Sequence, residues 1–203
     1  MRALLVPLKS FAQAKARLSA SLADEARVAL VQRLAAGVLS AAGALPSYVV
    51  CDDGAVADWS VRRGATALYA PGLGLNGAVS AGVDLLGELG FGLVVVAHAD
   101  LPFVEGLDQF GVEGAVTIAP DRREDGTNVM ALPTGTPFRF SYGPGSFDHH
   151  RLEAARLGLR TTIVRDTRFA TDVDLPADLA EFGDRLLAGS TSRGLPGGPR
   201  RDE

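Results

Sequence analysis

The sequence has a single cysteine, Cys51, which excludes an intramolecular disulfide and any zinc site built on several thiolates. Lysine is almost as scarce, because eighteen of the 20 basic residues are Arg and the only two lysines are Lys9 and Lys15. Acids are missing before Asp24, so Arg2, Lys9, Lys15 and Arg17 have no local counter-charge, an arrangement that suits an anion site. No apolar run, Leu93 to Ala97 included, approaches the roughly 20 residues needed to cross a bilayer. Nothing near the N-terminus joins a charged start, an uninterrupted apolar stretch and a cleavage site. The expectation is a reduced, cytoplasmic protein. A basic excess is lacking too: 20 Lys plus Arg stand against 24 Asp plus Glu, a net charge of -4, which argues against a protein held on nucleic acid by phosphate neutralisation.

Several chemical motifs are also missing. There is no Gly-x-x-x-x-Gly-Lys-Ser/Thr loop and no dinucleotide fingerprint after the first strand, so P-loop hydrolysis and simple hydride transfer lose ground. A Cys-His dyad and a serine nucleophile elbow are absent. His149 and His150 are neighbours in a predicted helix, where they cannot face one metal, and read as surface residues.

What is present is enough apolar residue, 47% of 203, to bury one sizeable core. Strand patterns at Arg2 to Leu8, Tyr48 to Cys51, Thr66 to Tyr69 and Leu93 to Ala97 alternate with helical spacing. A helix with Ser21 as its cap runs to Gly43, a short one covers Val56 to Arg63, and another Asn76 to Leu89. Further strands are predicted at Ala115 to Ala119, Asn128 to Leu132, Phe138 to Phe140 and Thr161 to Val164, and helices from Ser146 to Leu157 and from Pro176 to about Leu187. The alternation predicts a three-layer α/β fold with a mostly parallel sheet, in which ligands collect outside the carboxyl ends of strands. Residues 1 to 187 form one domain, and 188 to 203, rich in Gly, Pro, Ser and Arg, read as a disordered tail.

The candidate chemistry lies just after strands. Val94 to Val96 form a buried run that delivers Asp100 to the sheet edge before Pro102 breaks the strand. An ionised carboxylate there is costly unless it meets a cation, so Asp100 is either a Mg²⁺ ligand beside phosphates or the cap of a following helix. Asp172 and Asp174 point the same way at period-two spacing and could clamp a divalent ion, or Asp174 could simply cap the Pro176 helix. Gly72 to Asn76 makes a turn before a helix that could receive a base or phosphate. Gly143 to Ser146 is a similar helix start, and Gly126-Thr127-Asn128 puts two polar side chains at a strand entrance. Each of these loops is also compatible with an ordinary turn.

Taken together, Val6-Pro7-Leu8-Lys9 with Ala14 to Leu18, Gly74-Leu75-Asn76, Ala99 to Pro102, Ala119-Pro120-Asp121 with Gly126 to Asn128, Phe140 with Gly143 to Phe147, and Asp172-Val173-Asp174 resemble the CofC/FbiD guanylyltransferases of coenzyme F-420 biosynthesis. The resemblance runs from Leu4 to about Phe182. It implies a nucleotidyltransferase-type, glycosyltransferase-A-like α/β fold that joins GMP from GTP to the phosphate of phosphoenolpyruvate, 2-phospho-L-lactate or 3-phosphoglycerate and releases pyrophosphate. Bacterial members of this type favour phosphoenolpyruvate. By the same resemblance Asp100, Asp172 and Asp174 are metal-binding acids, and Thr127, Gly143 and Ser146 contact the acceptor. Lys9, Lys15 and Arg17 meet the triphosphate, Gly74 and Asn76 read the base, and Lys15 and Asp100 carry catalysis. The product would pass to a downstream deazaflavin transferase, and a homo-oligomer is compatible with the pattern. His98 and the charged loop Asp121 to Asp125 depart from the family pattern.

The physical chemistry agrees. A phosphate acceptor is already a nucleophile and requires no general base, so the enzyme's work is positioning and charge neutralisation. Two other readings stand beside this one: a nucleotidyltransferase for a sugar phosphate or the molybdenum cofactor, which lacks here its usual Gly-rich loop after the first strand, and a non-catalytic nucleotide-sensing module, which would have little use for three acids.

Overall fold

The computed structural model describes residues 1–174 and 176–188. The expected tail lies, from residue 189 onward, outside the described residues.

Among the described residues one seven-stranded sheet organises the fold, in the order β3-β2-β1-β4-β6-β5-β7. The strands are β1 (Arg2–Pro7), β2 (Ser47–Cys51), β3 (Thr66–Tyr69), β4 (Leu93–Ala97), β5 (Ala115–Pro120), β6 (Thr127–Pro133) and β7 (Arg160–Ile163). The helices are α1 (Asp24–Ser40), α2 (Gly54–Arg62), α3 (Gly74–Glu88), α4 (Ser146–Arg156), α5 (Thr167–Ala170) and α6 (Pro176–Ala188). Of these strands only β6 runs against its neighbours β4 and β5; the pairs β1-β2, β2-β3, β1-β4 and β5-β7 are parallel.

All five residues of β4 are buried, as a strand covered on both faces must be. Alternation then divides the core in two. Leu93, Val95 and Ala97 join Leu4, Val6 and Val49 under Val31, Ala35 and Val38 of α1 and Val56 and Trp59 of α2. Val94 and Val96 join Leu5, Met130 and Leu132 under Val79, Val83 and Leu86 of α3 and Phe147 and Ala154 of α4. Helices on both faces make the three layers.

The chain steps outward from β1 to β2 and β3, then returns through α3 to place β4 on the other side of β1. The carboxyl ends of β1 and β4 therefore flank the point where the strand order reverses, and their outgoing loops diverge to leave a crevice.

Two local expectations differ from the structure. Ser21 does not cap α1: Ala23 occupies the cap position without a side-chain bond, and Asp24 and Glu25 supply negative charge in the first turn. Phe138 to Phe140 form no strand, because β6 already has a strand on each side. That segment crosses the sheet face instead, with Phe138 and Tyr142 buried in the second core.

Candidate active site

The loop after β1 carries both lysines, and its path is set from α1. Arg27, buried on that helix, donates from Nη1 to the carbonyls of Ala12 at 2.9 Å and Ala14 at 2.5 Å and pairs with Asp24 at 2.8 Å. Bound to carbonyls on either side of Gln13, it holds the backbone just ahead of Lys15. Lys15 itself is left-handed, φ 56°, a conformation that costs an L-residue about 1–2 kcal/mol. Its side chain is only 8% exposed, and its ammonium donates to Asp100 Oδ2 at 2.5 Å and to Asp174 Oδ1. Burial alone would pull the ammonium down, but the two carboxylates outweigh it and hold Lys15 above the ordinary lysine value.

Asp100 follows β4, three residues beyond its end, and no helix starts there, so the capping role is not available to it. Burial pushes its carboxyl up; the Lys15 charge and hydrogen bond, with a smaller effect of His98, overcome this and keep it below the usual range. Its second oxygen, Oδ1, is buried without a partner among the described residues. Val173, fully buried beside Leu34 and Phe182, turns the residues on either side of it outward, and Asp172 and Asp174 both line the crevice. Burial first, and then the negative charges of Asp100 and Asp174, push the Asp172 carboxyl up to about 6. Among the described residues no three His, Cys, Asp or Glu side chains stand close enough to form a ready-made metal cage. The Lys15 ammonium lies between Asp100 and Asp174 instead.

Two adjoining cavities meet at His98, Asp100 and Asp174. One, about 200 Å³, is bounded by the β1 loop with Lys9 and Lys15 and by Leu75 at the start of α3. The other, about 330 Å³, is bounded by Thr127, Gly143, Ser146, Asp172 and the exposed Arg17. Gly74 lines a small extension of the first with Lys9. Arg17 therefore lies apart from the two lysines with which the sequence groups it. Asn76 lines neither cavity: its Oδ1 accepts from Tyr142 N at 2.6 Å and its Nδ2 donates to Tyr142 O at 3.4 Å, tying α3 to the segment that precedes α4. Base contact by the Asn76 amide, expected from the sequence, competes with those two bonds.

The turn before α4 also differs from the expected cradle of free N–H groups. Gly145 N donates to the Asp125 carboxylate at 3.1 Å, Ser146 N to Gly143 O at 3.1 Å and Phe147 N to Asp125 O at 3.0 Å. Hydroxyls, rather than these three amides, are left to face a ligand. Asn128 braces the far wall by donating to Phe169 O at 3.0 Å. Arg122, from the loop after β5, reaches α6 through Asp178 at 2.9 Å and Glu181 at 3.1 Å.

His150 is not a surface residue. It is 0% exposed, because with Phe147 and Ala154 it forms the inward face of α4. Its ring packs against Tyr142 at 4.8 Å, and burial, helped by His98 and His149 against Glu153, pushes the imidazole down to about 4. Below an unfolded value near 6.5 the unfolded chain therefore binds a proton that the native ring refuses. Native stability due to this group is expected to be complete above pH 6.5 and to fall as pH drops toward 4, and urea midpoints across that range should show a shallower acid loss in His150→Asn. A parallel acid loss in parent and variant would refute it. Arg27 and His150 were both missed in the sequence, Arg27 without any signal and His150 despite its helical spacing from Phe147 and Ala154.

The family model described as guanylyl transferase, CofC like, matches residues 1–193. A phosphoenolpyruvate guanylyltransferase of Sphaerobacter thermophilus is 34% identical over 197 residues, covering 93% of this chain and 95% of that protein. A 2-phospho-L-lactate guanylyltransferase of Halorubrum lacusprofundi is 34% identical over 191 residues, covering 83% and 78%. Among solved structures, a nucleotidyl transferase from Methanothermobacter aligns with a TM-score of 0.64 at 16% identity, covering 93% of this chain and 99% of that one, a likeness of fold alone.

Proposed function

The chain belongs to the CofC-like guanylyl transferases, and from that premise we propose that it transfers GMP from GTP to phosphoenolpyruvate, releasing pyrophosphate. The observation that carries this reading is the pair of cavities meeting at Asp100, one walled by lysines and the other by two hydroxyls among arginines and aspartates. GTP fits the first, with its triphosphate toward Lys9 and Lys15 and its base toward Gly74 and Leu75. The acceptor fits the second, with its carboxylate toward Thr127, Ser146 and Arg17. Its phosphate then lies at the junction.

In the reaction an acceptor phosphate oxygen forms a bond to the α-phosphorus of GTP while the bond from that phosphorus to the bridging oxygen breaks, and pyrophosphate leaves with the electron pair. The acceptor oxygen is already anionic, so no side chain must remove a proton. Lys15 neutralises charge on the phosphates at the junction, and its two carboxylate partners hold it there ahead of the reaction.

A divalent cation fits these residues. Asp100 presents a buried oxygen without a partner among the described residues, and Asp172 is driven toward its neutral form by burial and then by two like charges that a cation would offset. We assign Asp100, Asp172 and Asp174 as the groups that would hold Mg²⁺, which would supply charge neutralisation to the phosphates. Domain extent follows the same reading, with residues 1 to 187 as the transferase domain and the cytoplasm as its setting.

Two outcomes test the assignment of the cavities. Pyrophosphate release with GTP should exceed that with ATP, since a base leaving a buried hydrogen-bonding group unpaired costs about 1–3 kcal/mol; comparable rates with both nucleotides would refute the base site. Ser146→Ala should raise the acceptor KM by about tenfold with GTP KM unchanged, the loss of one hydrogen bond to a charged group. An unaltered acceptor KM would remove Ser146 from the site.

A further inference from the structure

His150 makes two hydrogen bonds whose directions are linked. The Ser141 N–H donates to Nε2 at 3.0 Å, and a backbone amide can only donate, so Nε2 is the unprotonated nitrogen. The ring is neutral in its apolar surroundings, which include the rings of Phe138, Phe140 and Tyr142. A neutral imidazole carries one proton, which therefore resides on Nδ1. Nδ1 lies 3.0 Å from Thr127 Oγ1, so it donates to that hydroxyl. Thr127, at the start of β6 and on the wall of the larger cavity, then has one lone pair engaged and its own proton directed elsewhere.

We infer that His150 is a positioning residue that sets the Thr127 hydroxyl as a hydrogen-bond donor to the anionic acceptor, in a chain running from the Ser141 amide through the imidazole to the hydroxyl and the substrate carboxylate. The inference rests on the proposed acceptor site. Each link favours the next: the fixed amide selects the tautomer, the tautomer selects the direction of the hydroxyl, and that direction suits an acceptor oxygen and not a donor. It also explains why a histidine, whose burial opposes its charged form, occupies an inward position of α4 where an apolar residue would pack.

The bond counts of the side chains supply the test. An Asn amide nitrogen is two bonds from Cβ, as Nδ1 is in histidine, and can keep the donation to Thr127. The Gln amide is three bonds away, as Nε2 is, and can keep only the bond from Ser141. Steady-state kinetics with phosphoenolpyruvate and GTP should give about a tenfold higher acceptor KM in Thr127→Val, His150→Gln and His150→Phe, with GTP KM unchanged, and near-parent values in His150→Asn. In the Thr127→Val background, His150→Phe should add nothing further. Should His150→Phe fail to fold, the contrast between Asn and Gln at the same position carries the test.

Equal acceptor KM in the Asn and Gln variants, or independent and multiplicative effects of the Thr127 and His150 substitutions, would overturn the relay. An unchanged acceptor KM in Thr127→Val would instead overturn the placement of the acceptor itself, and the relay with it.

Discussion

Asp100→Asn is expected to lower kcat by a factor on the order of 10²–10³ at saturating GTP, acceptor and Mg²⁺, while the far-ultraviolet circular dichroism stays that of the parent. The amide has the size of the carboxylate, and Asp174 still holds Lys15, so the fold survives. What disappears is the charge shared by both cavities. Oδ2 positions the Lys15 ammonium at 2.5 Å and Oδ1 is the buried oxygen offered to a cation. In the proposed site, losing either role weakens neutralisation of the phosphates at the point of bond exchange. Parent-like kcat in a folded Asp100→Asn enzyme would remove Asp100 from the chemistry.

Lys15→Met should have a comparable effect on kcat, again on the order of 10²–10³, but a different signature in stability. Methionine keeps most of the buried stem and removes the main charge that holds the Asp100 carboxyl against its burial. The variant is therefore expected to melt below the parent without Mg²⁺ and to regain stability as Mg²⁺ is added, because a cation can then occupy the space between the acids. Activity should not return with it. Thermal melts across a Mg²⁺ series, paired with initial rates, separate the two effects. Recovery of rate along with stability would show that Lys15 serves only to neutralise the acids.

The candidate site was legible where one segment carries its own explanation. A five-residue apolar strand followed by Asp100 and a strand-breaking Pro102 places a carboxylate at the end of a central strand. Asp172 and Asp174 are readable for a similar reason, since the alternation across buried Val173 fixes their common direction. The lysines announce themselves through the missing acids around them.

Long-range contacts left much weaker traces. Arg27 looks like any charge in the first turns of an amphipathic helix, and only the fold shows it reaching the carbonyls of Ala12 and Ala14. The bonds between Asn76 and Tyr142 join residues 66 positions apart, and no spacing rule connects them. The Gly145 and Phe147 amides of the turn before α4 are taken by Asp125, from a different loop. His150 did leave a trace: positions 147, 150 and 154 mark one face of a helix, and the polarity of histidine concealed it. Direction within the sheet was also hidden, because a short β5-β6 connection permits the antiparallel hairpin that sets β6 against its neighbours.

The most direct measurement is to identify the product by phosphorus NMR when the enzyme is given GTP, phosphoenolpyruvate and Mg²⁺, with 2-phospho-L-lactate as the competing acceptor. The predicted result is a new diphosphate ester of guanosine and enolpyruvate, formed with one pyrophosphate per ester and preferred over the lactyl product when both acceptors are present. Pyrophosphate appearing without any acceptor, or an acceptor-dependent product only with a phosphorylated sugar, would contradict it.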